Sequence, residues 1–179
     1  MIGTGLIAVD IQKGFKDSYW GRRNNPDAEL HMVRLFDEAR ARGIPIFHVQ
    51  HLSLNRDSPL HPESPGSAFF NFSCPRPYES VFQKHVNSAF IGTDLEAALK
   101  KARITRVFIM GFTSDHCVST TVRMAANLGF QVYVNADAVC TFDRKTYLGE
   151  IIPAEQIHQS ALASLHEEFA TVYRHSSFW

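Results

Sequence analysis

Between Val107 and Leu128 the chain reads VFIMGFTSDHCVSTTVRMAANL. Four successive apolar residues, Val107 to Met110, leave no polar face, which suits a strand buried on both sides of a parallel sheet. Gly111 breaks the run. Thr113, Ser114 and Asp115 follow as candidate helix caps, because their side-chain oxygens can accept from first-turn amides. Val118, Val122 and Ala125 then recur at i, i+4 and i+7, and Gly129 is placed to stop the helix. A buried strand turning straight into an amphipathic helix is half of a βα unit, so it commits the chain to α/β architecture. Cys117 falls in the first turn of that helix. The helix dipole there favours thiolate over thiol, and free first-turn amides can bind an oxyanion. Position alone leaves two readings open: a cysteine nucleophile, or a small residue filling space between helix and sheet.

The rest of the chain repeats the alternation. Leu6 to Val9 is a short apolar run ending at Asp10, read as a central parallel strand with a carboxylate at its carboxyl end, where open α/β sheets bind ligands. The alternative is an Asp capping the next turn. Residues 15 to 25 form a polar loop in which Trp20 walls a pocket or anchors packing. Asn25 as cap and Pro26 at the first position open a helix with Ala28, Met32, Leu35, Phe36 and Ala39 on one face. Ile44 to Val49 is a second strand, followed by His51. Residues 52 to 80 carry five prolines and no period, yet Phe69, Phe70 and Phe72 need burial. An ordered excursion that shapes the active site or a subunit contact is therefore expected. Val81 to Lys84 is a third strand, and Thr93 to Glu96 a capping box before Leu95, Ala98, Leu99 and Ala102. Gln131 to Val134 is a fifth strand, with Asp137 just beyond it. Pro153 opens a last helix, and Ala170 to Tyr173 is a sixth strand.

This pattern predicts a three-layer, doubly wound α/β fold: a mainly parallel six-stranded sheet with helices on both faces, in one domain over residues 1–179. In the common strand order 3-2-1-4-5-6, strands 1 and 4 are neighbours, with carboxyl ends about 5 Å apart. Asp10 and Cys117 then open into one crevice. Lys84 starts two strands away, and geometry makes it the least secure member. The chemistry suits the trio. A carboxylate can take the thiol proton and pass it to a leaving group, and an ammonium helps stabilise the thiolate. Backbone N–H groups of Thr113 and Cys117 could hold a tetrahedral oxyanion, at about 3–4 kcal/mol per donor. Together these describe acyl transfer from an amide to water through a thioester.

Composition excludes other classes. Eighteen basic residues balance eighteen acidic ones, so no global field draws in nucleic acid or an anionic membrane. No apolar run approaches the ~20 residues of a membrane span, and the first residues lack a basic leader segment. Three cysteines without CxxC spacing point to free thiols in a reducing, cytoplasmic setting.

The residues resemble the isochorismatase-like cysteine hydrolases. The resemblance lies in Asp10-x-Gln12, Lys84 with Ser88-Ala89-Phe90, Thr93-Asp94-Leu95, Gly111 to Val118, and Thr121, Ala125, Gly129 and Asp137-Ala138. It implies an Asp10–Lys84–Cys117 catalytic triad, the strand order 3-2-1-4-5-6, homo-oligomers, and a non-proline cis peptide at Phe112–Thr113. Nicotinamidases, which resemble this fold, carry an Asp-x-His metal motif after strand 2. Here His48-Val49-Gln50-His51 stands instead, so no metal and no cofactor are expected, and His51 is expected to line the pocket. True isochorismatases lack the nucleophilic cysteine, so Cys117 argues for hydrolysis of a small amide or ureido-type substrate. Trp20, His51, Phe112 and Phe142 are the candidates for substrate contact. The remaining alternatives are a vinyl-ether hydrolase using Asp10 as acid, and a redox or ligand-binding module in which Cys117 is oxidised.

Overall fold

In the computed structural model, which describes residues 3–174, the apolar runs become strands β1 (Thr4–Val9), β2 (Ile46–His51), β3 (Ser80–Lys84), β4 (Arg106–Phe112) and β5 (Gln131–Cys140). Two short strands, β6 (Arg144–Lys145) and β7 (Ile151–Ile152), precede β8 (Thr171–Tyr173). The main sheet has the order β3-β2-β1-β4-β5-β8 with every pair parallel. This is the expected order, with β8 as sixth strand. The difference is the antiparallel β6–β7 hairpin, too short to leave a period in the sequence.

Alternation along the strands sorts the core into two layers. Leu6, Ala8, Phe108 and Met110 face α1 (Ala28–Ala41) and its buried Met32, Leu35, Phe36 and Ala39. Ile7, Val9, Val107 and Ile109 face the other way, onto α2 (Leu95–Lys101), α3 (Cys117–Asn127) and α4 (Ala154–Leu165). β1 is buried along its whole length, which is why it reads as a run rather than an alternation.

The expected caps give way to tertiary bonds. Asn25, at φ +44°, does not cap α1; its side-chain amide donates to Ala136 O (2.9 Å) and Val139 O (2.8 Å), and the helix begins two residues after Pro26. The capping box before α2 is likewise incomplete. Thr93 Oγ1 accepts weakly from Leu95 N–H (3.4 Å), but Glu96 pairs with Lys100 instead of turning back.

The excursion after β2 is ordered, as expected. Gln12, fully buried, donates through Nε2 to His51 O (2.9 Å) and Ser67 O (2.8 Å) and accepts His51 N–H at Oε1 (2.8 Å). Gly14 and Gly66 meet backbone to backbone: a Cβ on Gly66 would lie 2.4 Å from Pro59 O and 2.7 Å from Gly14 Cα.

Glu79 closes the excursion. Its carboxylate accepts from Arg40 Nε (2.9 Å), the Arg76 N–H (2.9 Å) and His48 Nε2 (2.9 Å), and its side chain is only 2% exposed. Burial would push this carboxyl up, but Arg40, the Arg76 amide and His48 outweigh it and hold it at about 2, against an ordinary 4.5. A depressed carboxyl stabilises the fold above its unfolded value and loses that contribution as pH falls toward the folded one. Glu79→Gln should therefore cost roughly 3 kcal/mol at pH 7 in urea unfolding, with the gap closing between about pH 5 and pH 2. An equal gap at both ends of that window would refute this account.

Candidate active site

Asp10 leaves β1 at φ +54°, a left-handed conformation that Asp tolerates better than most residues. The neighbouring strand is pressed against it. Gly111 of β4 pairs with Val9 at φ +127°, and a Cβ there would stand 1.9 Å from the Val9 carbonyl oxygen. Close strand ends and a short loop then deliver Cys117, first residue of α3, beside Asp10. Lys84 ends β3 in register with His51, the last residue of β2. Its long stem crosses the end of β2 to reach the same point.

Lys84 Nζ lies 2.7 Å from Asp10 Oδ2, 3.0 Å from His51 Nδ1 and 3.4 Å from Cys117 Sγ. The Asp10 and Lys84 side chains are wholly buried, and Asp10 Oδ1 has no hydrogen-bond partner. The structure thus brings Asp10, Lys84 and Cys117 together. Burial would lower the lysine, but Asp10 and Cys117 outweigh it and hold the ammonium above its ordinary value. The cysteine departs from the sequence reading. Burial first, then the Asp10 carboxylate, push its thiol well above the usual range, and the Lys84 ammonium only partly opposes them. That direction is opposite to the one the helix dipole alone would give.

Carboxylate, imidazole and sulfur atoms of Asp10, His51 and Cys117 lie within 4.8 Å of one another. The Lys84 ammonium already stands among them, so the charge a metal would supply is in place. His48 is elsewhere, bonded to Glu79 and stacked on Phe36 at 5.4 Å.

The loop before α3 is held by its side chains rather than capped by them. Ser114 Oγ bonds His158 Nδ1 (3.2 Å), and Asp115 takes Arg144 Nε (2.7 Å) and the Thr141 hydroxyl. Burial raises the Asp115 carboxyl, but Arg144 and Thr141 bring it down to about 2. The N-cap is His116, without a side-chain cap bond. Ser114 N–H donates to Cys140 O, and the His116 and Val118 N–H groups donate to Thr113 O. No such bond takes the Thr113 or Cys117 N–H among the described residues. The Phe112–Thr113 peptide is cis, where the resemblance placed it.

Above the sulfur is a cavity of about 100 Å³. Trp20 and His51 line it, together with Phe15, Leu60, Asn87, His116 and Arg144, which the sequence did not single out. Phe112 and Phe142 stand behind that wall. Alternation sends Phe112 to the α1 side, where it stacks on Phe15 at 4.6 Å, and buried Phe142 packs 5.8 Å from Trp20. A larger concavity, about 780 Å³, opens at the opposite ends of β2 and β3 beside Tyr78 and Lys101. It holds no comparable cluster, so chemistry rather than volume locates the site.

Comparison with known proteins agrees with this geometry. The family model described as Isochorismatase domain matches residues 4–177. The chain is 43% identical over 167 residues to the uncharacterized isochorismatase family protein YrdC of Bacillus subtilis (strain 168), covering 93% of this chain and 89% of that one. The crystal structure of an isochorismatase-family protein from Chromobacterium violaceum ATCC 12472 superposes with a TM-score of 0.92 at 38% identity, over 97% of this chain and 90% of that one. More distant relatives are named streptothricin hydrolase (Streptomyces noursei; 30% identity over 94% of this chain and 62% of its own) and N-carbamoylsarcosine amidase (Arthrobacter sp; 28% over 61% and 48%). Another is Nicotinamidase 3 (Arabidopsis thaliana; 25% over 93% and 82%). Sequence, strand order and superposition converge: the chain belongs to the isochorismatase family of hydrolases.

Proposed function

We propose that the protein hydrolyses the C–N bond of a small amide or ureido-type molecule through a thioester on Cys117. One observation carries this reading: a sulfur at the floor of a small cleft, with an ammonium 3.4 Å away and the Asp10 carboxylate within 4.8 Å. In the first step Asp10 Oδ1 takes the thiol proton as Sγ attacks the carbonyl carbon. The Thr113 and Cys117 N–H groups receive the oxyanion. The C–N bond then breaks, and Asp10 returns the proton to the departing nitrogen, releasing ammonia or an amine. Water attacks the thioester with Asp10 again as base, the C–S bond breaks, and the proton goes back to sulfur. Lys84 pairs with the carboxylate and steadies the sulfur as it acquires charge.

The cleft supports a small substrate, since about 100 Å³ falls short of the ~300 Å³ at which drug-sized pockets begin. Two relatives named as an amidase and a nicotinamidase support the bond type. The described cysteines are free and no described helix is long and apolar enough to cross a membrane, which fits the cytoplasmic setting we propose.

The test is ammonia release across nicotinamide, N-carbamoylsarcosine, simple amides, ureas and carbamoyl compounds, with acid-quenched enzyme examined by mass spectrometry. The expected result is turnover of at least one member with a transient acyl adduct on the Cys117 peptide. Turnover that never acylates Cys117 and survives its removal would reject the thioester route and assign the reaction to Asp10 acting as an acid.

A further inference from the structure

We propose that His51 is a positioning residue for the nucleophile: its imidazole is the third acceptor of a cradle that holds the Lys84 ammonium between Asp10 and Cys117. This rests on the thioester reading and deepens it, giving His51 a role beyond lining the cavity.

The argument begins with donor arithmetic. An ammonium carries three N–H donors and no acceptor. Lys84 is wholly buried, so each donor needs a partner within the protein, and an orphaned one on a buried charge is costly. Asp10 Oδ2, His51 Nδ1 and Cys117 Sγ are those partners. Taking away the imidazole leaves one donor empty and frees the ammonium to turn.

An imidazole nitrogen accepts only when it carries no hydrogen. His51 Nδ1 faces the ammonium at 3.0 Å, and an ammonium can only donate, so Nδ1 accepts and the hydrogen belongs on Nε2. The titratable groups around the ring are Lys84, Asp10, Cys117 and His85. Burial and the Lys84 charge keep the imidazole neutral by holding it below the ordinary histidine range. Its backbone is equally fixed, with Gln12 bonding both the His51 N–H (2.8 Å) and the His51 carbonyl (2.9 Å). With Nδ1 taken by the ammonium and its backbone clamped, the ring is held where it can orient Lys84. It can set the ammonium, and through the ammonium the ease with which Cys117 loses its proton.

Iodoacetamide, a small reactive amide, reads this without any need to know the substrate. Modification is followed on the Cys117 peptide by mass spectrometry, which separates it from the exposed Cys74. His51→Leu removes the acceptor; His51→Asn can restore one through its amide oxygen. At pH 8 the leucine variant should be alkylated about 10–100-fold more slowly, the scale of a lost hydrogen bond to a charged group. Its rate profile should move to higher pH, and the asparagine variant should recover most of the loss. Parental rate and profile in His51→Leu would overturn the proposal, as would equal losses in both variants, which would indicate packing alone. In the unaltered protein, imidazole nitrogen NMR shifts should show neutral His51 with its hydrogen on Nε2 at pH 7; a hydrogen on Nδ1 would overturn it even if neither variant folds. Alkylation needs no turnover, so failure here leaves the thioester test untouched, and failure there leaves this result standing.

Discussion

A Cys117→Ala protein should fold and lose turnover by a factor on the order of 10⁵–10⁶, the scale seen when a nucleophile that acts as part of a unit is removed. Folding should survive because the residue opens α3, where alanine is a good helix former, and the change removes one sulfur. Activity should not, because no other described cysteine or hydroxyl stands 3.4 Å from the Lys84 ammonium. Asp10→Asn is the companion measurement. Burial and Asp10 hold the Cys117 thiol well above its usual range, so bulk solution does little to ionise it and a local base must. A loss of about 10²–10⁴-fold is expected from the amide variant, without recovery as pH rises toward 9. Ammonia release with circular dichroism on the same samples checks both. A Cys117→Ala enzyme keeping more than about a tenth of parental turnover would sink the mechanism.

The second large effect is on stability. Gly111→Ala should destabilise the protein by more than about 4 kcal/mol or leave it insoluble. The added Cβ would lie 1.9 Å from Val9 O and 2.8 Å from Val9 C, and those are backbone atoms of the central strand. No rotamer change can relieve such an overlap, so β1 and β4 would have to part where Asp10 and Cys117 meet. The φ of +127° adds a conformational penalty. Gly43→Ala is the control: its φ is +64°, but nothing stands within 4 Å, so the cost should stay near 1 kcal/mol. Urea unfolding of the two variants separates close approach from backbone conformation. A Gly111→Ala protein within 1 kcal/mol of that control would remove the argument.

The meeting of Asp10 and Cys117 was legible in the sequence because strand ends carry positional information once the order is known. Lys84 was not legible on the same grounds. It begins two strands away, and only family resemblance pointed to its reach across β2. Arg144 and Asn87 lay beyond sequence reasoning, since a two-residue strand and a bend have no period to read. Two of the caps erred in the same direction. Asn25 and Asp115 can both bond locally, and each found a partner distant in sequence instead of its expected cap, whereas Thr93 keeps a weak cap bond from Leu95 N–H. The cysteine's titration erred because a dipole is visible in a local pattern, whereas depth of burial is a property of the assembled fold.

The meeting of Gly14 with Gly66 has a consequence for how this cleft could change. Neither glycine lines the cavity over the sulfur, but their contact seats two side chains that do: Trp20, whose Nε1 donates to the Gly14 carbonyl at 2.9 Å, and Leu60, whose Cδ2 would lie 2.8 Å from a Cβ on Gly14. The backbone contact thus holds the wall in place without forming it. Shortening Trp20 or Leu60 would admit a bulkier guest, whereas any side chain added at position 14 or 66 would unseat both at once.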